Sequence, residues 1–132
     1  MQYLPSDMLV CIHQSAKRYQ LPEELIIAVI RTEGGKNGVI NYNKNGSVDL
    51  GIMQINDIHL ARLKKYGIRY NDVLNNTCTN IEVGTWILRQ QFGAKVDYRI
   101  PDTWWKAVGN YHSKTAKFNS AYQKRVWSNM NK

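Results

Sequence analysis

The sequence predicts a mainly α-helical domain with at most a small β element around residues 38–50. Apolar residues recur at the three- and four-residue spacing of helices through most of the chain. No convincing alternating strand exceeds four residues. One long stretch, residues 34–50, shows neither period and is dominated by Gly and Asn. The 132 residues amount to one domain, long enough to bury roughly two-thirds of the unfolded surface. A single domain over residues 1–132 is therefore expected.

Pro5 followed by Ser6 or Asp7 opens a first helix that runs to about Tyr19, with Leu9, Ile12, Ala16 and Tyr19 on its apolar face. Pro22 suits the start of a second helix, and Glu23 and Glu24 suit its positive end. This helix is apolar nearly all round through Ile30, which makes it the central one, and Gly34-Gly35 ends it. Residues 34–50 cannot build a core, and a loop this long in a compact domain is usually functional. Short strand pairing within it is expected around Val39-Ile40 and Val48. The segment Gly51-Ile52-Met53-Gln54-Ile55-Asn56 then packs back, and a helix follows from about Asp57 to Tyr66, stopped by Gly67. Thr79-Asn80-Ile81-Glu82 has the capping-box pattern and predicts a helix over about Asn80 to Phe92. Another follows Pro101-Asp102, from about Thr103 to Tyr111. Tyr122, Val126 and Met130, spaced by four, mark a last amphipathic helix.

Eighteen Lys plus Arg against ten Asp plus Glu give a net charge of +8. Such a surface favours a polyanion: nucleic acid, an anionic membrane or an acidic wall polymer. The basic residues are scattered, with no block of five, which argues against a nucleic-acid tail. A DNA-binding reading would need a basic recognition helix, and the last helix offers only Lys124 and Arg125. No stretch approaches the roughly 20 apolar residues of a membrane span. Residues 1–10 lack a basic segment followed by an apolar one, so no secretory leader is expected within them. Two cysteines, Cys11 and Cys78, cannot alone make a zinc site; two buried thiols and one long-loop disulfide both stay open.

Glu33 is the leading catalytic candidate. It sits at the end of the central helix, where the negative dipole end and partial burial both disfavour its ionised form. A carboxyl held protonated near neutral pH is what a general acid for glycosidic cleavage requires. The plainer alternative is a helix-end Glu paired with Arg31 or Lys36. A two-carboxylate hydrolase needs a partner acid, and Asp49 is the only one within residues 34–56, whose plainer role is loop capping. His13, His59 and His112 show no ligand spacing, so neither a metal nor another cofactor is expected. Ser47 and Ser113 lack a nucleophile-elbow context, and no phosphate-binding glycine loop appears. Trp86, Trp104, Trp105, Trp127 and the eight tyrosines are potential sugar-stacking platforms, most of them expected in the core.

An apolar helix ending in Glu33, a Gly/Asn-rich loop, then Gly-Ile-Met-Gln-Ile-Asn over 51–56 and Gly109-Asn110-Tyr111-His112-Ser113 follow one another in order. This order resembles the lysozyme-like lytic transglycosylases, of goose-type or SLT fold. The chain is most similar to the small VirB1-type enzymes of type IV secretion, conjugation and type III secretion systems. The Cys-Thr-Asn-Ile run from Cys78 also resembles that subgroup. The resemblance covers Cys11 to about Trp127. It implies non-hydrolytic cleavage of peptidoglycan between N-acetylmuramic acid and N-acetylglucosamine, with Glu33 as acid and then base and a 1,6-anhydro sugar as product. It implies Tyr111 as a supporting residue that hydrogen-bonds near Glu33. Met53, Gln54, Asn56, Asn110 and His112 are implied as substrate contacts. It further implies a Cys11–Cys78 disulfide, worth roughly 3 to 5 kcal/mol by chain entropy. The setting implied is the periplasm, reached by a leader outside this sequence. There the enzyme would open the wall for a secretion, conjugation or pilus apparatus, as a monomer with no membrane insertion. The chain departs from the common family pattern in having Gly34 where Ser usually follows the catalytic Glu, and His112 where Asn usually follows the Tyr. The rivals are a hydrolytic muramidase using Asp49 and a non-catalytic peptidoglycan-binding assembly protein in which Glu33 is structural.

Overall fold

The computed structural model describes residues 4–94 and 96–130. The helices among them are α1 (Ser6–Tyr19), α2 (Glu23–Glu33), α3 (Leu60–Lys64), α4 (Tyr70–Asn75), α5 (Thr77–Gln90), α6 (Pro101–Asn110) and α7 (Ala116–Met130). Three short strands, β1 (Ile40–Tyr42), β2 (Val48–Leu50) and β3 (Ile55–Asn56), form an antiparallel sheet in the order β1-β2-β3. The mainly α class is what the spacing of apolar residues predicted.

Helix α2 is apolar through its middle because that middle is enclosed. Leu25, Ile26, Ala28 and Val29 are wholly buried, and the helix packs against both α1 and α7. On α1 the inward face is Cys11, Ile12 and Ala16, and α1 also packs along α5. The Cys11–Cys78 disulfide joins these two helices, with Cα atoms 5.3 Å apart. A disulfide was implied by resemblance alone; residue counts had left the thiols open.

Four local features differ from the sequence reading. Helix α5 starts at Thr77, because the Asn76 side chain caps it by accepting the Thr79 N–H at 3.0 Å. Asn80, read as part of a capping box at the helix start, lies within α5 and is buried. Helix α4 was not anticipated. It has six residues and buries only Val73 and Leu74, too few for a helical period to register. The helix expected from Asp57 to Tyr66 begins as a 3-10 turn, Asp57–His59, and continues as the short α3. Strand β3, also unforeseen, is two residues long and pairs Asp49 with Asn56 and Leu50 with Ile55. No helix among the described residues is long and apolar enough to cross a membrane.

Candidate functional site

A cleft of about 390 Å³ opens between the end of α2, strands β2 and β3, and the end of α6. Glu33, Asp49, Gln54, Asn56, Tyr111 and His112 line it, together with Asn43, Asn45, Ser47, Ile55, Ile58, His59 and Ile87. The Gly/Asn-rich loop thus forms one wall. Its polar side chains bond one another: Asn43 Nδ2 donates to Ser47 Oγ at 3.0 Å, and Ser47 Oγ donates to Asn45 Oδ1 at 2.7 Å.

Glu33 is the last residue of α2, and Gly34 closes the helix in the left-handed region with φ +66°. Gly35 then presses against the 51–54 segment; a Cβ there would lie 2.0 Å from the Gly51 carbonyl oxygen. This contact, which only glycine permits, sets the Gly-Ile-Met-Gln turn beside the carboxyl. The turn is held from below by Asn80. Its Oδ1 accepts the Met53 N–H at 2.8 Å, and its Nδ2 donates to the Leu50 and Val73 carbonyls at 2.9 Å each. Gln54 takes a positive φ of 54°, rare for a side-chain-bearing residue and a kind of strain that gathers at functional sites. Its Nε2 donates to the Gly51 carbonyl at 2.9 Å and its Oε1 accepts from Asn41 at 2.8 Å.

The Glu33 carboxyl is pushed up from 4.5 to about 7. Burial is the largest cause, and the negative field of Asp49 adds to it. Two groups pull the other way: a hydrogen bond from Tyr122, and the charge of Arg125. The Tyr122 hydroxyl donates to Glu33 Oε2 at 2.5 Å from the middle of α7. The Tyr122 ring is itself clamped. His112 stacks on it at 5.0 Å and 8°, and the Arg125 guanidinium lies 5.3 Å from its centre.

The phenol that bonds Glu33 is therefore Tyr122, where the resemblance implied Tyr111. Tyr111 lines the cleft close enough to feel the charge of Glu33, but its hydroxyl donates to the Met53 carbonyl at 2.8 Å. Burial, then Glu33, then Asp49, push the Tyr111 hydroxyl well up, so it stays a neutral donor. Met53, implied as a substrate contact, has a wholly buried side chain. It packs against α5, where a Cβ on Gly84 would fall 2.4 Å from Met53 Sδ. Met53 meets the site only through its backbone. Asn110 also stays off the cleft wall, because Asn119 Nδ2 donates to its Oδ1 at 2.8 Å. Gln54, Asn56 and His112 do face the cleft. Asn56 donates to Asp49 Oδ1 at 3.0 Å and to Ser47 Oγ at 3.1 Å. His59, named in the sequence only as lacking ligand spacing, contacts Arg62 at 2.7 Å; burial first and Arg62 second lower its pKa. None of the four tryptophans lines the cleft. Among the described residues no group of three or more His, Cys, Asp or Glu is placed to hold a metal ion.

One raised carboxyl on a rigid helix, steadied by a phenol and facing an amide-lined cleft, is equipped for acid–base cleavage of a polar polymer. Residues 10–132 match the transglycosylase SLT domain. The chain belongs to the transglycosylase SLT family. The invasion protein IagB of Salmonella typhimurium is 36% identical over 127 residues, spanning 92% of this chain and 76% of that protein. Protein IpgF of Shigella flexneri is 32% identical over 107 residues, 80% of this chain and 66% of its own length. A peptidoglycan-binding-like protein of Escherichia coli O157:H7 is 32% identical over 129 residues, 89% of this chain and 74% of its own. This SLT chain is a lytic transglycosylase, and its mainly helical architecture is the lysozyme-like one of the family.

Proposed function

We propose that the enzyme cleaves the β-1,4 bond between N-acetylmuramic acid and N-acetylglucosamine of peptidoglycan without water, releasing 1,6-anhydro-muropeptides. The observation that carries this reading is the Glu33 carboxyl at about 7. A carboxyl raised into the neutral range has both forms within reach, so one group can give a proton and take one back. Protonated Glu33 donates to the leaving glycosidic oxygen as the C1–O bond breaks. The acetamido oxygen on C2 shares the positive charge that develops at C1. The C6 hydroxyl oxygen then bonds to C1, and its proton passes to the Glu33 carboxylate. Glu33 ends as it began, and no water is consumed. Tyr122 steadies the carboxylate between the two transfers. Gln54, Asn56 and His112 are placed to meet the sugars, with Tyr111 holding the Met53 end of the turn.

The setting we propose is the periplasm, where the enzyme opens the wall for a secretion, conjugation or pilus apparatus. The relative named an invasion protein supports this purpose. The Cys11–Cys78 disulfide suits an oxidising compartment.

The test is mass spectrometry of muropeptides released from purified sacculi in isotopically labelled water. Anhydro products without label are expected, and Glu33→Gln is expected to lower their release at least ~100-fold. Reducing-end products carrying the label would overturn the reading in favour of hydrolysis, with Asp49, which lines the same cleft, as the second carboxylate.

A further inference from the structure

We propose a second glycan-binding site away from the cleft: a shelf formed by Trp105 of α6 and Trp127 of α7, flanked by Gln123 and Lys124, that holds peptidoglycan strands. It rests on the wall-cleaving reading for the identity of the ligand alone. The four residues border a shallow depression of about 310 Å³. Trp127 is 58% exposed. The two indoles meet edge to face, 5.8 Å apart at 83°, so their planes form a corner. The corner is rigid because it is the outer end of an aromatic ladder. Trp105 abuts Trp104 at 4.9 Å, and Trp104 abuts the buried Phe92 at 5.6 Å.

The shelf is distinct from the cleft by helix geometry. Trp127 follows Tyr122 by five residues, which is about 140° round the helix and about 7.5 Å along it. Tyr122 points to Glu33, so Trp127 points well away from it. Trp105 precedes Tyr111 by six residues, about 120° round α6. A strand seated here is therefore not the scissile bond's own neighbourhood.

The lining matches N-acetylated glycan in three respects. Pyranose rings present C–H faces that stack on flat indoles, and of the two here Trp127 is exposed and Trp105 half-buried. The Gln123 amide gives one N–H to Asn119 Oδ1 at 2.6 Å, which fixes its orientation and directs its carbonyl and second N–H to hydroxyl and acetamido groups. Lys124 answers the free carboxylates of the peptide stems that muramic acid bears, within a chain of net charge +8. A purely apolar partner would not use the amide or the ammonium.

Co-sedimentation with purified sacculi tests this, using the inactive Glu33→Gln chain so that the polymer stays intact. Adding Trp127→Ala, or separately Lys124→Glu, should weaken sacculus binding about five- to tenfold with melting temperatures near that of the Glu33→Gln parent. Unchanged binding in both variants would overturn the proposal. So would a loss restricted to vesicles containing phosphatidylglycerol, which would make the shelf a membrane contact. The two readings fail separately. Trp127-dependent binding by a chain whose Glu33 form releases no muropeptide keeps the shelf and removes the catalytic reading. Anhydro release with Trp127-independent binding does the reverse.

Discussion

At the residue scale the site turns on which phenol reaches Glu33. Tyr111 stood out in the sequence because of its motif, whereas Tyr122 looked like one of three core residues spaced by four on α7. Only the packing of α7 on α2 brings Tyr122 to Glu33, 89 residues away. The one legible signal was chemical: of Tyr122, Val126 and Met130, only Tyr122 carries a polar tip, and a buried hydroxyl needs a partner. A direct consequence concerns pH. The Tyr122 bond favours the ionised carboxyl and so holds the Glu33 pKa below where burial alone would put it. The acid step needs protonated Glu33, so kcat/KM should be level below pH ~7 and fall above it. In Tyr122→Phe that falling limb should move to higher pH, while the plateau drops roughly ten- to hundredfold for loss of a charged hydrogen bond. A pH–rate profile checks both; an unmoved limb would show that Tyr122 does not tune the acid.

The same carboxyl makes stability depend on pH. Its folded pKa is raised, from 4.5 to about 7, so folding takes up a proton in that window. The protein is relatively most stable below 4.5 on this account and loses stability as pH rises through about 7. At about 1.4 kcal/mol per pH unit the effect is on the order of 3 kcal/mol. Glu33→Gln removes the titration and keeps an oxygen for Tyr122. It should therefore melt higher than the parent at pH 8 by several degrees, with a smaller or reversed difference at pH 5, as calorimetry at the two values would reveal.

At the element scale the helices with broad apolar faces were readable, and the short elements were not. Helix α2 could be read from its run of buried aliphatics, and its last residue is the catalytic candidate. Helix α4 and strand β3 depend on tertiary partners: β3 exists because Asp49 and Leu50 stand opposite it. Asn80 is the instructive case. Within the sequence it is one polar residue near a helix start, consistent with capping. In the fold it serves three backbone groups: the Leu50 carbonyl at the end of β2, the Met53 N–H of the connection that follows, and the Val73 carbonyl of α4. Asn80→Ala would leave buried backbone groups unpaired beneath the Gly51–Gln54 turn, and should cost about 2 to 5 kcal/mol. Chemical denaturation measures that cost, and activity should fall further than stability at temperatures where the variant is still folded, because the turn borders Glu33. Asn80→Asp should be no better, since a carboxylate cannot donate to the Leu50 and Val73 carbonyls.

At the scale of the whole molecule the disulfide closes a long loop, Cys11 and Cys78 being 67 residues apart. By chain entropy such a loop is worth about 4 kcal/mol. For a domain of this size that corresponds to roughly 10 to 15 °C in melting temperature. Cys78→Ser should lower the Tm by about that much, and thiol titration of unfolded, unreduced protein exported to an oxidising compartment should find no free thiol. The bridge joins α1 to α5 and touches neither Glu33 nor Tyr122, so the variant's rate at low temperature should stay within a few-fold of the parent's. A large loss of rate in a fully folded Cys78→Ser chain would show that the bridge shapes the cleft after all.

The bond from Tyr122 to Glu33 also gives the enzyme a sense of completion. During synthesis the acid emerges with the early helices, and its phenol arrives only with α7. A ribosome-bound or partly threaded chain holds Glu33 without the phenol that, in the finished fold, draws its affinity for the proton down. A single proteolytic cut between α6 and α7 that let the last helix drift off would return the enzyme to that immature condition without touching the acid itself. For a lytic transglycosylase, the contact between phenol and acid thus comes only with the final fold.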